Sequence, residues 1–374
     1  MGGHACLLGL LALAVLPAAH VSAFLQTGSL PRLAPRGGAL PASISLQAKT
    51  FSPNDFGLNI ASPSQAQGNF GKVWFGKQGM LGSQVVVKVP FLNDFGLRTF
   101  SNEMFVNEKL DAAFPSGGGF AKYLGDVALD PATAAEQGLG GVGMAFKKEG
   151  ADSLEDLLLS GQAAGKLGAK SNGLLNEALC KKVMSDLLKT CVQMHSVGVY
   201  HRDIKPENCI VSGSSLKLID FGAGCDMPSG AGCDMQSGTG VKDVSMDPIY
   251  APPEKRISPN APGKFDVYTV GITGIRCLLP SFSKDPRAGI DHRDPNSVTL
   301  IQEFNEVEFP KAGCSLEKWR DRVMNGRDPT LQAEVQELFS GKYTPLLAVL
   351  QAMTAKTPSA RPDPQAALQL LGYR

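Results

Sequence analysis

The most constraining feature of this chain is the run Tyr200-His201-Arg202-Asp203-Ile204-Lys205-Pro206-Glu207-Asn208, followed downstream by Asp220-Phe221-Gly222. What surrounds it gives it a defined setting. Upstream, Cys180, Val183, Met184, Leu187, Leu188, Cys191 and Met194 recur at i, i+3, i+4 spacing, which predicts an amphipathic helix that stops near Gly198. Between the two motifs, Cys209-Ile210-Val211 and Leu216-Lys217-Leu218-Ile219 flank Ser212-Gly213-Ser214-Ser215, the pattern of a β-hairpin. A helix, a polar loop, a hairpin and a second polar loop therefore follow in order. Asp203, Asn208 and Asp220 all lie on the loops.

The rest of the chain divides by pattern. Lys72-Val73-Trp74-Phe75 and Val85-Val86-Val87-Lys88-Val89 are short β-branched or aromatic runs, and Thr99 to Leu110 reads as a helix. From Ser153 onward the helical period dominates, with Phe265–Leu279, Thr344–Ala355 and Pro364–Leu371 as further helices. Lys147 to Asp152 is a polar, Gly-containing connector. Ser281 to Leu316 reads as a polar insertion that contributes to partner docking. The expected architecture is α+β: a small β-rich lobe over 51–146 and a larger helical lobe over 147–374. With 374 residues, 43% of them hydrophobic, there is apolar material for a sizeable core, which excludes wholesale disorder. A formal net charge of +1 excludes a global basic field for nucleic acid or an acidic membrane. The eight cysteines form no CxxC pair and show no zinc-ligand spacing, so mostly reduced thiols are expected.

HRDIKPEN over His201–Asn208, with DFG over Asp220–Gly222, resembles the eukaryotic-type protein kinases. The resemblance covers about residues 54–374 and implies the bilobal protein kinase fold, with ATP and Mg²⁺ as cofactors and a protein as substrate. Phosphoryl transfer requires neutralised phosphate charge and an aligned hydroxyl. Asp203 would accept the acceptor hydroxyl's proton or hold that hydroxyl in line. Asn208 and Asp220 would supply oxygen to Mg²⁺. Lys205, two residues past Asp203, would reach the γ-phosphate, and Lys at this place is the Ser/Thr pattern of the family.

Against the family's GxGxxGxV loop, Ala66 to Val73 reads AQGNFGKV. Ala66 replaces the first Gly, while Gly68, Gly71 and Val73 match. These four and Phe70 are the candidate ATP contacts, and nucleotide binding is expected to survive the added methyl of Ala66. Lys88, in an otherwise apolar strand, would hold the α/β-phosphates and pair with a helix glutamate. Glu103 and Glu108 are the candidates, and Glu108 is preferred. Three further residues are expected to be scaffolding. Glu254, in Ala251-Pro252-Pro253-Glu254, pairs with Arg361, and Asp266 braces the backbone of the catalytic loop. His195 and Cys209 are expected to be packing residues.

The Phe70–Gly76 loop, the Phe146–Gly150 hinge and the stretch from Asp247 to Glu254 are similar to the thylakoid state-transition kinases of chloroplasts. That resemblance implies thylakoid or light-harvesting proteins as substrates. Membrane anchoring is not carried over, because no transmembrane segment is expected in the mature chain. The N-terminus gives an independent reading. Residues 1–23 hold an apolar core, Leu7 to Leu16, and a Val21-Ser22-Ala23 cleavage pattern, although no Lys or Arg precedes the core. The core falls short of the roughly 20 residues that span a bilayer. Residues 24–50 carry Arg32, Arg36 and Lys49, and no acidic residue occurs before Asp55. A signal peptide followed by Phe24 and a transit-like stretch resembles the bipartite plastid presequences of algae with secondary plastids. A secretory-pathway kinase and a pseudokinase scaffold are the alternatives.

Ala223–Gly230 is nearly copied as Ala231–Gly238. The copies place Cys225 and Cys233 at matching positions, either as a thiol switch or as cysteines duplicated with the repeat. Ser229, Ser237, Thr239 and Ser245 are candidate phosphosites for pairing with Arg202.

Overall fold

The computed structural model describes residues 49–373 apart from 69, 80–81, 228–245, 256 and 259. The presequence up to residue 48, Cys233 and the four candidate phosphosites lie outside these residues. The N-terminal lobe is built on a six-stranded sheet in the order β1-β5-β6-β4-β3-β2. Its strands are β1 (Thr50–Phe51), β2 (Ala66–Gln67), β3 (Gly71–Gln78), β4 (Ser83–Pro90), β5 (Tyr123–Ala128) and β6 (Val142–Lys147). All neighbours are antiparallel except β1, which runs parallel to β5.

Alternation along β4 sends Val85, Val87 and Val89 into a core with Phe56, Trp74, Val127 and Ala145. Lys88 consequently faces the other side of the sheet, where helix α1 (Asp94–Ala113) packs. That helix starts where the Asn93 side chain accepts a hydrogen bond from the Gly96 N–H at 2.7 Å. Its buried face is Thr99, Phe100, Glu103, Val106, Asn107 and Leu110, at helical spacing.

The second lobe centres on α2 (Glu177–Ser196) and α3 (Gly263–Leu278). Every residue from Phe265 to Leu278 is buried, so α3 is enclosed on all sides rather than amphipathic. Close approach of the two helices depends on Gly274, where an added Cβ would lie 2.4 Å from Met184 Sδ. Gly198, with φ +77°, ends the turn after α2 as expected. The hairpin is β8 (Cys209–Ser212) with β9 (Ser215–Leu218), after the short β7 (Val199–Tyr200). Among the described residues, no helix is long and apolar enough to cross a membrane.

The segment after α3 differs from its reading as a polar insertion. Phe282 and Phe304 are buried against Trp319 and Phe309 stacks on Phe304, with ring centroids 4.7–6.1 Å apart among these contacts. Each such ring contributes about 1.5–3 kcal/mol of burial. The polar residues between them lie on the outside, and in sequence they hide an aromatic core that wraps the lobe's end.

Candidate active site

The sheet register puts Val73 opposite Lys88, and Lys88 opposite Met144. From this row the Lys88 ammonium crosses to α1 and donates to Glu103 Oε2 at 2.6 Å. It also donates to Asp220 Oδ1 at 3.0 Å. The preference for Glu108 is therefore corrected: the partner is Glu103. Five residues along a helix turn a side chain about 140° around the axis. Glu103 lies on the buried face with Phe100 and Val106, whereas Glu108 is only half-buried and lies away from Lys88.

One lysine between two carboxylates leaves the cluster one negative charge in excess. Burial pulls the Lys88 ammonium down, but Asp220 and Glu103 outweigh it and hold it protonated above its usual range. Burial pushes Asp220 up, and Lys88 more than reverses this, so its carboxyl sits low. Glu103 is pushed up to about 7 by its own burial, with Lys88 pulling against and Asp220 repelling.

The loop from His201 to Asn208 is held by Asp266. Its carboxylate accepts from the His201 N–H at 2.9 Å and the Arg202 N–H at 2.8 Å, with His195 Nε2 at 2.9 Å. His195 is thus a brace that also packs on Tyr200. Arg202 and Asp220 both adopt positive φ, at 68° and 64°, a backbone region that non-glycine residues rarely occupy. The Asp203 N–H donates to His201 Nδ1 at 3.2 Å, and the ring Nε2 lies 3.0 Å from the Ile219 carbonyl. Cys209 is buried, its thiol 3.2 Å from the Lys205 carbonyl.

Asn208 ties the loop to itself. Its amide donates to the Asp203 carbonyl at 2.8 Å and to Asp203 Oδ2 at 2.9 Å. Burial pushes the Asp203 carboxyl up, against the pull of Lys205 and of the Asp247 N–H. Lys205 lies 3.0 Å from Glu207, 3.1 Å from Asp247 and 3.7 Å from Asp203. Burial lowers the Lys205 ammonium, but these carboxylates raise it well beyond its ordinary value.

The remaining expected residues are spread around this centre. Ala66 is exposed and pairs with Val73 across β2 and β3. Phe70 packs its ring on Phe95 at 5.2 Å. An added Cβ at Gly71 would lie 2.1 Å from the Val89 carbonyl oxygen, whereas Gly68 has open space around it. Arg361 is buried and makes a forked pair with Glu254, at 2.6 and 2.8 Å. Removing one partner of such a pair costs about 3–5 kcal/mol. Arg202 Nε donates to the Ala223 carbonyl at 2.7 Å. Among the described residues, five cysteines (180, 191, 209, 277 and 314) are buried free thiols, and Cys225 is disulfide-bonded.

Three functional features escaped the sequence reading. Asn102 donates to the carbonyls of Gly222, at 3.2 Å, and Gly224, at 2.7 Å. Lys109, on the same helix, donates to buried Asp226 at 2.5 Å. Asp247 meets both Asp203 and Lys205. The only sequence signal for Asp247 was an acidic residue inside a stretch noted for its resemblance.

The donor set fits Mg²⁺. The amide nitrogen of Asn208 is used on Asp203, which leaves Asn208 Oδ1 as a hard oxygen donor. Among the described residues, the hydrogen bonds from Lys88 and the Gly222 N–H to Asp220 both fall on Oδ1, leaving Oδ2 for a cation. Bound there, the ion would offset phosphate charge beside Lys88.

A sheet lobe over a helical lobe, with Lys88, Asp203, Asn208 and Asp220 gathered between them, defines the phosphotransferase architecture of protein kinases. The protein kinase domain family matches residues 152–370, more than half of the chain, and the chain belongs to that family. It is similar to serine/threonine-protein kinase STN8, chloroplastic, of Arabidopsis thaliana, at 24% identity over 306 residues, covering 73% of this chain and 56% of the relative. It is also similar to STN7, chloroplastic, of the same plant, at 32% identity over 222 residues, covering 53% of this chain and 34% of the relative. The chain thus spans little more than half of the first relative and a third of the second. A crystal structure of a Stt7 homologue from Micromonas algae, soaked with ATP, shares the fold, with a TM-score of 0.64 and 21% identity, over 89% of this chain and 95% of that one.

Proposed function

We propose that the chain is an ATP- and Mg²⁺-dependent protein kinase that transfers the γ-phosphate to serine or threonine hydroxyls of a protein. The observation that carries this reading is the joint placement of Lys88 against Glu103 and Asp220, with Asp203 oriented by Asn208. In this arrangement Lys88 holds the α/β-phosphates, Asn208 and Asp220 hold Mg²⁺, and Asp203 accepts or aligns the hydroxyl. Lys205 faces the γ-phosphate. Ala66, Gly68, Phe70, Gly71 and Val73 form the cover over the nucleotide. Glu254, Arg361 and Asp266 hold the frame.

The location proposed is a plastid. The chloroplastic relatives support it, as does the acid-free, Arg-containing composition of residues 24–50. Thylakoid proteins are the substrates proposed, on the same likeness.

The test is transfer of radiolabel from [γ-³²P]ATP by the full chain with Mg²⁺, beside Asp203→Ala and Lys88→Met. Transfer that both substitutions abolish is the expected result. Silence of the wild type with nucleotide still bound would overturn the reading in favour of a nucleotide-binding scaffold.

A further inference from the structure

Asp247 is the residue around which the acceptor end of the site is arranged. Its backbone N–H donates to Asp203 Oδ1 at 2.8 Å. Its side chain is fixed at both oxygens: Oδ1 accepts from the Ile249 N–H at 2.9 Å, and Oδ2 accepts from Lys205 at 3.1 Å. The carboxylate is therefore held in one orientation and is 17% exposed. A hydroxyl held by Asp203 would lie one hydrogen bond away from the Asp247 backbone.

Charge at this end does not balance. Within 4 Å of the single Lys205 ammonium stand three carboxylates, those of Asp203, Glu207 and Asp247. Among the described residues, these three carboxylates against one ammonium leave a surplus of two negative charges. Glu207 is 57% exposed, so much of its field is lost to water, whereas Asp203 and Asp247 are largely shielded. Phosphate arriving at Lys205 would bring negative charge that Mg²⁺ at Asn208 and Asp220 would offset, so the surplus that bears on the acceptor is that of the carboxylates around Lys205. An incoming acceptor segment with Asp or Glu beside its hydroxyl would meet this field unfavourably, and one with Lys or Arg would relieve it.

We propose that Asp247 is a specificity-determining and positioning residue that selects acceptor peptides carrying a basic residue next to the phosphorylated hydroxyl. This deepens the proposed kinase function and rests on it. The selection is electrostatic and acts on peptide docking, so it falls mainly on KM. The orientation of Asp203 depends on the backbone N–H of residue 247, which a side-chain change leaves in place.

The experiment uses the full chain and paired serine peptides that differ only in Lys or Glu beside the serine. A second pair has alanine in place of serine, so that binding is read without transfer. Wild type is expected to prefer the Lys peptide by about tenfold or more in kcat/KM and in affinity. Asp247→Asn is expected to reduce that preference to about twofold, read as the ratio of the two peptides on the same variant, so that any change of kcat through Lys205 cancels. Raising the salt should erode the preference in the same direction. Thermal melting and nucleotide binding of the variant establish that it is folded. Equal affinity of wild type for both peptides, or a preference unaltered in folded Asp247→Asn, would overturn the inference. Charge-selective binding of the alanine peptides with no transfer to the serine peptides would overturn the kinase reading while supporting the selection by Asp247.

Discussion

Lys109 and Asp226 form an ion pair at 2.5 Å that joins α1 to the segment just after Asp220-Phe221-Gly222. Asn102, two turns earlier, reaches the same segment through the carbonyls of Gly222 and Gly224. Between them on the helix lies Glu103, the partner of Lys88. The helix is thus fastened at two points on either side of the residue it has to deliver. Asp226 is almost fully buried, so its field on Lys109 is poorly screened.

Replacing Lys109 by Met should lower kcat about tenfold, the equivalent of ~1.4 kcal/mol in the barrier. The KM for peptide should change little, because the residues proposed to meet the peptide, Asp203, Lys205 and Asp247, lie outside α1. Lys109→Arg should restore most of the loss. Steady-state kinetics on the three proteins check this. A loss confined to peptide KM would place Lys109 outside the positioning of Glu103.

Glu103 and Glu108 should separate cleanly. Glu103→Gln keeps a hydrogen bond to Lys88 but removes the charge, and kcat/KM is expected to fall about 10- to 100-fold. Glu108→Gln should stay within about twofold, since the carboxylates paired with Lys88 among the described residues are those of Glu103 and Asp220. Comparable losses in the two variants would overturn the assignment of Glu103.

Much of this site was legible because its parts are local. The loops from His201 to Asn208 and from Asp220 to Gly222 carry their chemistry in consecutive residues, and the hairpin between them is marked by Gly213. Glu103 was misjudged because both glutamates follow an asparagine, Asn102 and Asn107, so immediate context could not separate them. What separates them is phase around the helix, set by Phe100, Val106 and Leu110, which become informative once the packed face is known. Asp247 and Asp226 act across more than a hundred residues or from one lobe segment to another, distances that no periodicity encodes. The segment after α3 was misread for a different reason. Composition averages over residues, and three buried aromatic rings are outvoted by the polar residues between them.

Two glycines of the same loop should behave differently. Gly71→Ala would place a methyl 2.1 Å from the Val89 carbonyl oxygen. The forced shift of β3 against β4 should cost about 1–3 kcal/mol in chemical denaturation. Gly68→Ala meets no atom within 4 Å, so stability should hold to within ~0.5 kcal/mol. Its effect should fall instead on nucleotide affinity, measured by titration calorimetry, because the added methyl keeps phosphate from the backbone.

Acid should unfasten the loop through Asp266. Burial pushes this carboxyl up, but His195, with the His201 ring and the His201 N–H, more than reverses the push and holds it below 3.8. A folded value lower than the unfolded one means that the contribution is complete above pH 3.8 and drains away as pH falls through the folded value. Urea unfolding between about pH 5 and pH 2 should show the wild type losing more stability than Asp266→Asn over the acid half of that range. Parallel curves would show that Asp266 carries no such linkage.

The two-residue strand Thr50–Phe51 sets a boundary for proteolysis. It lies along Asp126 and Val127, the Lys49 carbonyl accepts from the Asp126 N–H at 2.8 Å, and a Cβ at Gly125 would come within 2.1 Å of that carbonyl oxygen. A cut after Phe51 would strip this cover and leave the β5 backbone at Asp126 as a bare edge, open to pairing with another chain. A cut ahead of Lys49 would leave the edge sealed. A cut placed among these few residues would therefore tie proteolysis to aggregation.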